Sequence, residues 1–117
     1  MGKVIGNNLQ MKELQGELID ELEHLITHLK KYDEENWASI FSQTQKMIDN
    51  GDIRGLEALK KMRGGMGSFI DLVICQINGH RIEKSEEDFA NTELIRLGNC
   101  VFAAADKLNR EIHKDSV

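Results

Sequence analysis

The sequence predicts an all-α fold, an irregular single-domain bundle of about five helices spanning residues 1–117. Three observations predict it. Leucine, isoleucine and alanine recur at three- and four-residue steps through several long stretches, the spacing of one buried helix face. The chain has no proline, so nothing in it forbids a continuous helix interior. Asn50-Gly51, Gly64-Gly65 and Asn78-Gly79 punctuate the stretches, and glycine and asparagine are the residues with which helices stop.

The first helix is expected from about Asn8 to Tyr32. Leu14, Leu18, Leu22, Leu25 and Leu29, with Ile19 and Ile26 beside them, form its stripe. Glu13, Glu17, Asp20, Glu21 and Lys30 occupy the other side. Residues 1–7 read as a disordered N-terminus. The second helix is expected from about Glu34 to Asn50. Asp33 is its N-cap, and Glu34 and Glu35 suit the positive end of the helix dipole. Trp37, Ile40, Phe41, Thr44, Met47 and Ile48 lie along one side.

A third, shorter helix is expected from about Ile53 to Arg63, capped by Asp52. Lys60, Lys61 and Arg63 suit its negative C-terminal end. Residues 68–77 fit either of two forms. Ser68 and Asp71 have capping-box spacing, whereas the run Phe69 to Cys75 is rich in strand formers and precedes Asn78-Gly79, a hairpin signal. The reading favoured is a buried central helix, because the nearest strand partner, His80 to Glu83, is short and mostly polar. Residues 79–87 read as a polar loop, with Ser85 and Asp88 as a further capping box. The last helix is expected from about Glu86 to His113, with Ala90, Leu94, Leu97, Val101, Ala105, Leu108 and Ile112 inward. Gly98, on the same stripe, leaves room for the backbone of a neighbouring helix.

A chain of 117 residues with 40% apolar and 30% charged residues can bury a core and is not of disordered composition. Its net charge of −5 argues against direct nucleic-acid binding, which requires a basic footprint. The only tight basic cluster is Lys60, Lys61 and Arg63. No apolar run is long enough to cross a membrane, and the first residues lack the apolar segment of a secretory signal. Gly6 stands where a myristoylation signal needs Ser or Thr. The cytoplasm is the expected location.

The two cysteines, Cys75 and Cys100, lie in apolar runs and read as buried small hydrophobes, with no zinc-ligand spacing around them. No metal and no cofactor is expected. His24 and His28, four apart, could meet one metal but sit off the centre of the leucine stripe and read as a solvated face. Gly64-Gly65-Met66-Gly67-Ser68 could cradle an anion through Gly65, Gly67 and the Ser68 hydroxyl. A tight connection between helices is the simpler use of those glycines. Trp37 reads as core packing, with an interface anchor as the alternative. Ser68, Asp71 and His80 can be drawn as a triad, yet Asp71 is better used in capping and no oxyanion donors are legible. An enzyme is not expected. The acidic residues Glu83, Glu86, Glu87 and Asp88 flank a loop, where binding residues often stand.

The tract Asn36-Trp37, Gly51-Asp52, Gly55-Leu56 and Gly64-Gly65-Met66-Gly67-Ser68-Phe69-Ile70-Asp71-Leu72 resembles a family of small uncharacterised bacterial proteins carrying GGMGS, an apolar residue, a variable position and Asp-Leu. The resemblance covers roughly a third of the chain and brings no catalytic residues. In size, acidity and helical content the chain is also similar to bacterial immunity proteins. That likeness implies a protein that binds a toxin domain, such as a basic nuclease, and occludes its active site. Glu83, Glu86, Glu87 and Asp88 would meet the toxin's cations. Two alternatives stand beside it. One is a structural or regulatory homo-oligomer joined through exposed Trp37, Phe41 or Phe102. The other is a small-anion or metal-binding protein using Gly64–Ser68 or the two histidines. Either a monomer or a homodimer fits the first reading.

Overall fold

A computed structural model describes residues 5–6, 8–63, 69 and 72–114. Among them are four α-helices: α1 (Leu9–Lys31), α2 (Glu35–Asp49), α3 (Arg54–Met62) and α4 (Glu87–His113). None of the described residues forms an extended strand, and no helix is long and apolar enough to cross a membrane. The all-α expectation holds, with four α-helices rather than five.

The two long helices, α1 and α4, pack along each other, α2 folds back on α1, and α3 closes the far half of α4. The predicted stripes are the packed faces. Leu18, Leu22, Leu25 and Leu29 of α1 meet Ala90, Leu94, Val101 and Leu108 of α4 in one core, to which α2 adds Ala38, Phe41 and Ile48. Asn8 caps α1, its side-chain oxygen accepting from the Met11 N–H at 2.8 Å, which satisfies one of the free donors at the helix start.

Two cap assignments change. The N-cap of α2 is Glu34, whose Oε2 accepts from the Trp37 N–H at 2.9 Å. Asp33 instead takes a positive φ of 59°, a conformation that Asp tolerates better than most side chains. At the head of α3 the N-cap position falls to Ile53, which makes no side-chain bond, while Asp52 binds the Arg54 N–H at 3.0 Å and pairs with the Arg54 side chain. Those two bonds, the side-chain one first, hold the Asp52 carboxyl below its ordinary pKa. Their contribution is present above the ordinary carboxylate range and is lost as pH falls through the lowered value.

Ile5 is buried, and its N–H donates to the Gly51 carbonyl at 2.6 Å.

The segment expected as a buried helix is the main correction. Residues 72–75 are irregular, and only a single 3₁₀ turn, Gln76–Asn78, follows. Residues 72–78 form neither an α-helix nor a strand. Asn91 of α4 supplies the reason. Its side chain accepts from the Ile74 N–H at 2.7 Å and donates to the Ile74 carbonyl at 2.8 Å, which is the pair of bonds a neighbouring strand would make. Ile74 is thereby buried completely without a ladder. Ser68 and Asp71, the expected capping box, lie outside the described residues.

Gly98 serves a ring rather than a helix backbone. A methyl group at Gly98 would stand 3.0 Å from the Phe69 ring. Phe69 in turn bridges α2 and α4, with ring centroids 4.8 Å from Phe41, 5.4 Å from Trp37 and 6.2 Å from Phe102. Phe41 and Phe102 are buried and Trp37 is half-buried. Phe41 and Phe102 are therefore not the exposed rings that the homo-oligomer reading expects, and Trp37 is only partly so. The cysteines depart from expectation too: Cys75 and Cys100 are half-buried rather than buried, and both are free thiols.

Candidate functional site

Residues 72–88 wrap the end of the bundle where α4 begins. Two buried or nearly buried polar groups organise this corner. His80 lies in a loop yet its side chain is only 5% exposed, and Glu34, its partner, is 13% exposed. His80 Nε2 stands 3.0 Å from Glu34 Oε1. The Cys75 N–H, which can only donate, points at His80 Nδ1 from 3.1 Å. With Nδ1 accepting, Nε2 carries the proton and donates it to the carboxylate; Nδ1 also lies 3.2 Å from the Cys75 carbonyl, so the other tautomer has an acceptor as well. Glu34 thus uses one oxygen to cap α2 and the other to hold the loop.

Further bonds fix the same stretch. The Arg81 N–H donates to the Tyr32 carbonyl at 3.3 Å, and the Arg81 guanidinium pairs with Asp33 at 3.2 Å. Gln76 Nε2 donates to the Ile82 carbonyl at 2.8 Å, and Asn78 Nδ2 to the Val73 carbonyl at 2.9 Å. Asn91 ties the stretch to α4. The positive φ of Asp33 is what brings both Asp33 and Glu34 to this loop.

On the outside of this braced corner stand the predicted acidic residues. Glu83, Glu86 and Asp88 are exposed and Glu87 is half-buried. They are brought together by a 3₁₀ turn, Lys84–Glu86, that leads into α4. The Ser85–Asp88 capping box does not form, since α4 starts with no side-chain cap. Glu87 and Asp88 in its first turn suit the positive helix end instead. Lys84 is exposed among them, while the charge of Arg81 is partly met by Asp33. A shallow hollow of 460 Å³ is lined by Lys31, Tyr32, His80, Arg81, Glu83 and Glu86, among others.

Other candidates fare differently. His28 Nε2 lies 2.9 Å from the Ala90 carbonyl and its ring packs edge-on against Tyr32, so this histidine joins α1 to α4. His24 is exposed. Among the described residues no three His, Cys, Asp or Glu side chains are grouped as a metal would need. Gly65, Gly67 and Ser68 lie outside the described residues.

Sequence reasoning found the carboxylates but missed the clasp behind them. Glu34 and His80 are 46 positions apart, and no spacing rule links a helix-start glutamate to a loop histidine. Asn91 was missed for the same reason. Its replacement by Ala leaves the Ile74 N–H and carbonyl unpaired, an expected cost of about 1–3 kcal/mol. Faster hydrogen exchange at Ile74 and Cys75, with α1 unchanged, is the result expected.

No curated protein and no solved structure matches the chain. Residues 30–83 are similar to a family described as a domain of unknown function (DUF6966), a stretch that holds Glu34, His80 and Glu83 and ends before Glu86, Glu87 and Asp88.

Proposed function

We propose that this chain is a bacterial immunity protein that binds a basic toxin domain of the nuclease kind and covers its active site. The observation that carries the reading is an acidic corner built on a fixed backbone. Glu83, Glu86, Glu87 and Asp88 present carboxylates from a stretch pinned by His80, Gln76, Asn78 and Asn91. Pre-organised charges lose little freedom on binding. An acidic patch also steers a basic partner, raising association rates by roughly 10–10³-fold. Enzymes that cleave nucleic acid carry cations for the phosphate backbone, and carboxylates can occupy those same cations. The net charge of −5 adds long-range attraction.

The test uses the purified polypeptide encoded beside this gene. The wild-type chain is expected to bind it and suppress its nuclease activity. Charge reversal in E83K/E86K/D88K is expected to slow association about tenfold and flatten its dependence on salt. A neighbouring polypeptide that the wild-type chain neither binds nor inhibits defeats the reading.

A further inference from the structure

Resting on that reading, we infer that the partner's contact runs on from the acidic corner down α4 into an apolar groove, where the partner seats one aliphatic or aromatic side chain. The groove has a volume of 370 Å³ and is lined by Phe69, Leu72, Leu94, Ile95, Gly98 and Phe102, among others. Its rim carries Arg63 and Asn99 together with exposed apolar side chains. Ile95 is 64% exposed and Val73, next to Leu72, is 49% exposed.

The groove is continuous with the corner. Asp88 and Ile95 are seven residues apart on α4, two turns along one face and about 10 Å in rise. Between them Asn91 holds Ile74 against the helix, which brings Val73 to the same strip. A basic partner docked on Asp88 therefore has the groove within reach of the same surface. At the far end Arg63 donates to Asp106 at 2.8 Å and lies over the Phe102 ring. Its charge is met, so it does not oppose a cationic partner. Carboxylates at one end and an apolar recess beside them match the usual anatomy of an interface, with steering charges at the rim and an anchor in a dry pocket. The charges govern arrival and the anchor governs departure.

Surface plasmon resonance with the polypeptide encoded beside this gene tests this. Ile95→Gln removes apolar surface without adding charge, at a position exposed enough to leave folding intact. Phe89→Ala is the control: Phe89 is also exposed, at 62%, but stands two positions from Asn91 and so on another side of α4. The expected result is dissociation about tenfold faster for I95Q, with F89A within about twofold of wild type. If charge reversal at the corner slows association while I95Q dissociates like wild type, the groove inference falls and the immunity reading stands. If the wild-type chain does not bind at all, both fall. Sedimentation and native mass spectrometry of the free chain complete the test. A wild-type dimer that I95Q converts to monomer, or a retained small molecule that I95Q loses, would assign the groove to another occupant and overturn the inference.

Discussion

Phe41→Ala is expected to destabilise the protein by about 3–5 kcal/mol, the largest effect of any single substitution considered. Phe41 is fully buried. Its ring stands edge-on to Phe69 with centroids 4.8 Å apart and tilted against Trp37 at 5.9 Å, so truncation loses transfer energy and aromatic contacts together. The neighbours cannot close the gap easily. Phe69 is held by the Gly98 backbone on its far side, and Trp37 is fixed at the first turn of α2. Urea denaturation followed by far-ultraviolet circular dichroism measures the change. A loss below about 1 kcal/mol would mean that the cluster repacks freely. Phe41→Leu, which keeps much of the volume, is expected to cost clearly less.

Glu34→Ala is expected to cost about 2–4 kcal/mol, because one side chain performs two tasks. Loss of the cap on α2 accounts for about 1 kcal/mol. The rest comes from His80, whose Nε2 is left in the interior without a partner, at about 1–3 kcal/mol. Glu34→Gln separates the two parts. Its amide oxygen can still accept from the Trp37 N–H, but its NH₂ group meets the Nε2 of His80, which accepts only if the ring proton moves to Nδ1 beside the Cys75 carbonyl. E34Q is therefore expected to fall between E34A and wild type. The loop should feel the change as well, with residues 75–83 exchanging faster in both variants while α4 stays protected. Equal stability of E34A and wild type would show that the His80 contact carries no weight.

The helices were legible because their information is local. The leucine stripe of α1, the asparagine before it and the lysines at its end all lie within one stretch of chain, and the expected span of 8–32 differs from Leu9–Lys31 by one residue at each end. Residues 72–77 were not legible, because what decides their form comes from elsewhere. Local propensity offered a helix or a strand. Asn91, 17 positions away, satisfies the Ile74 backbone by side chain alone and makes both unnecessary. The cap of α2 was misplaced by one residue for a related reason. Asp33 is the better capping residue by preference, but a positive φ there turns Glu34 inward, where His80 waits. The candidate site divides in the same way. Its carboxylates could be read from composition, since exposed charge at a helix start needs no partner to explain it. The clasp behind them and the groove beside them exist only where distant segments meet.

The position of Trp37 has a consequence for how this protein reports on itself. It is the only tryptophan in the chain, and its indole lies against Phe41 and Phe69. Emission excited at the red edge of protein absorbance therefore arises at the seam between α2 and Phe69. A colour shift in that light registers opening of the seam. Events confined to the head of α4 reach it only by travelling through the packed rings.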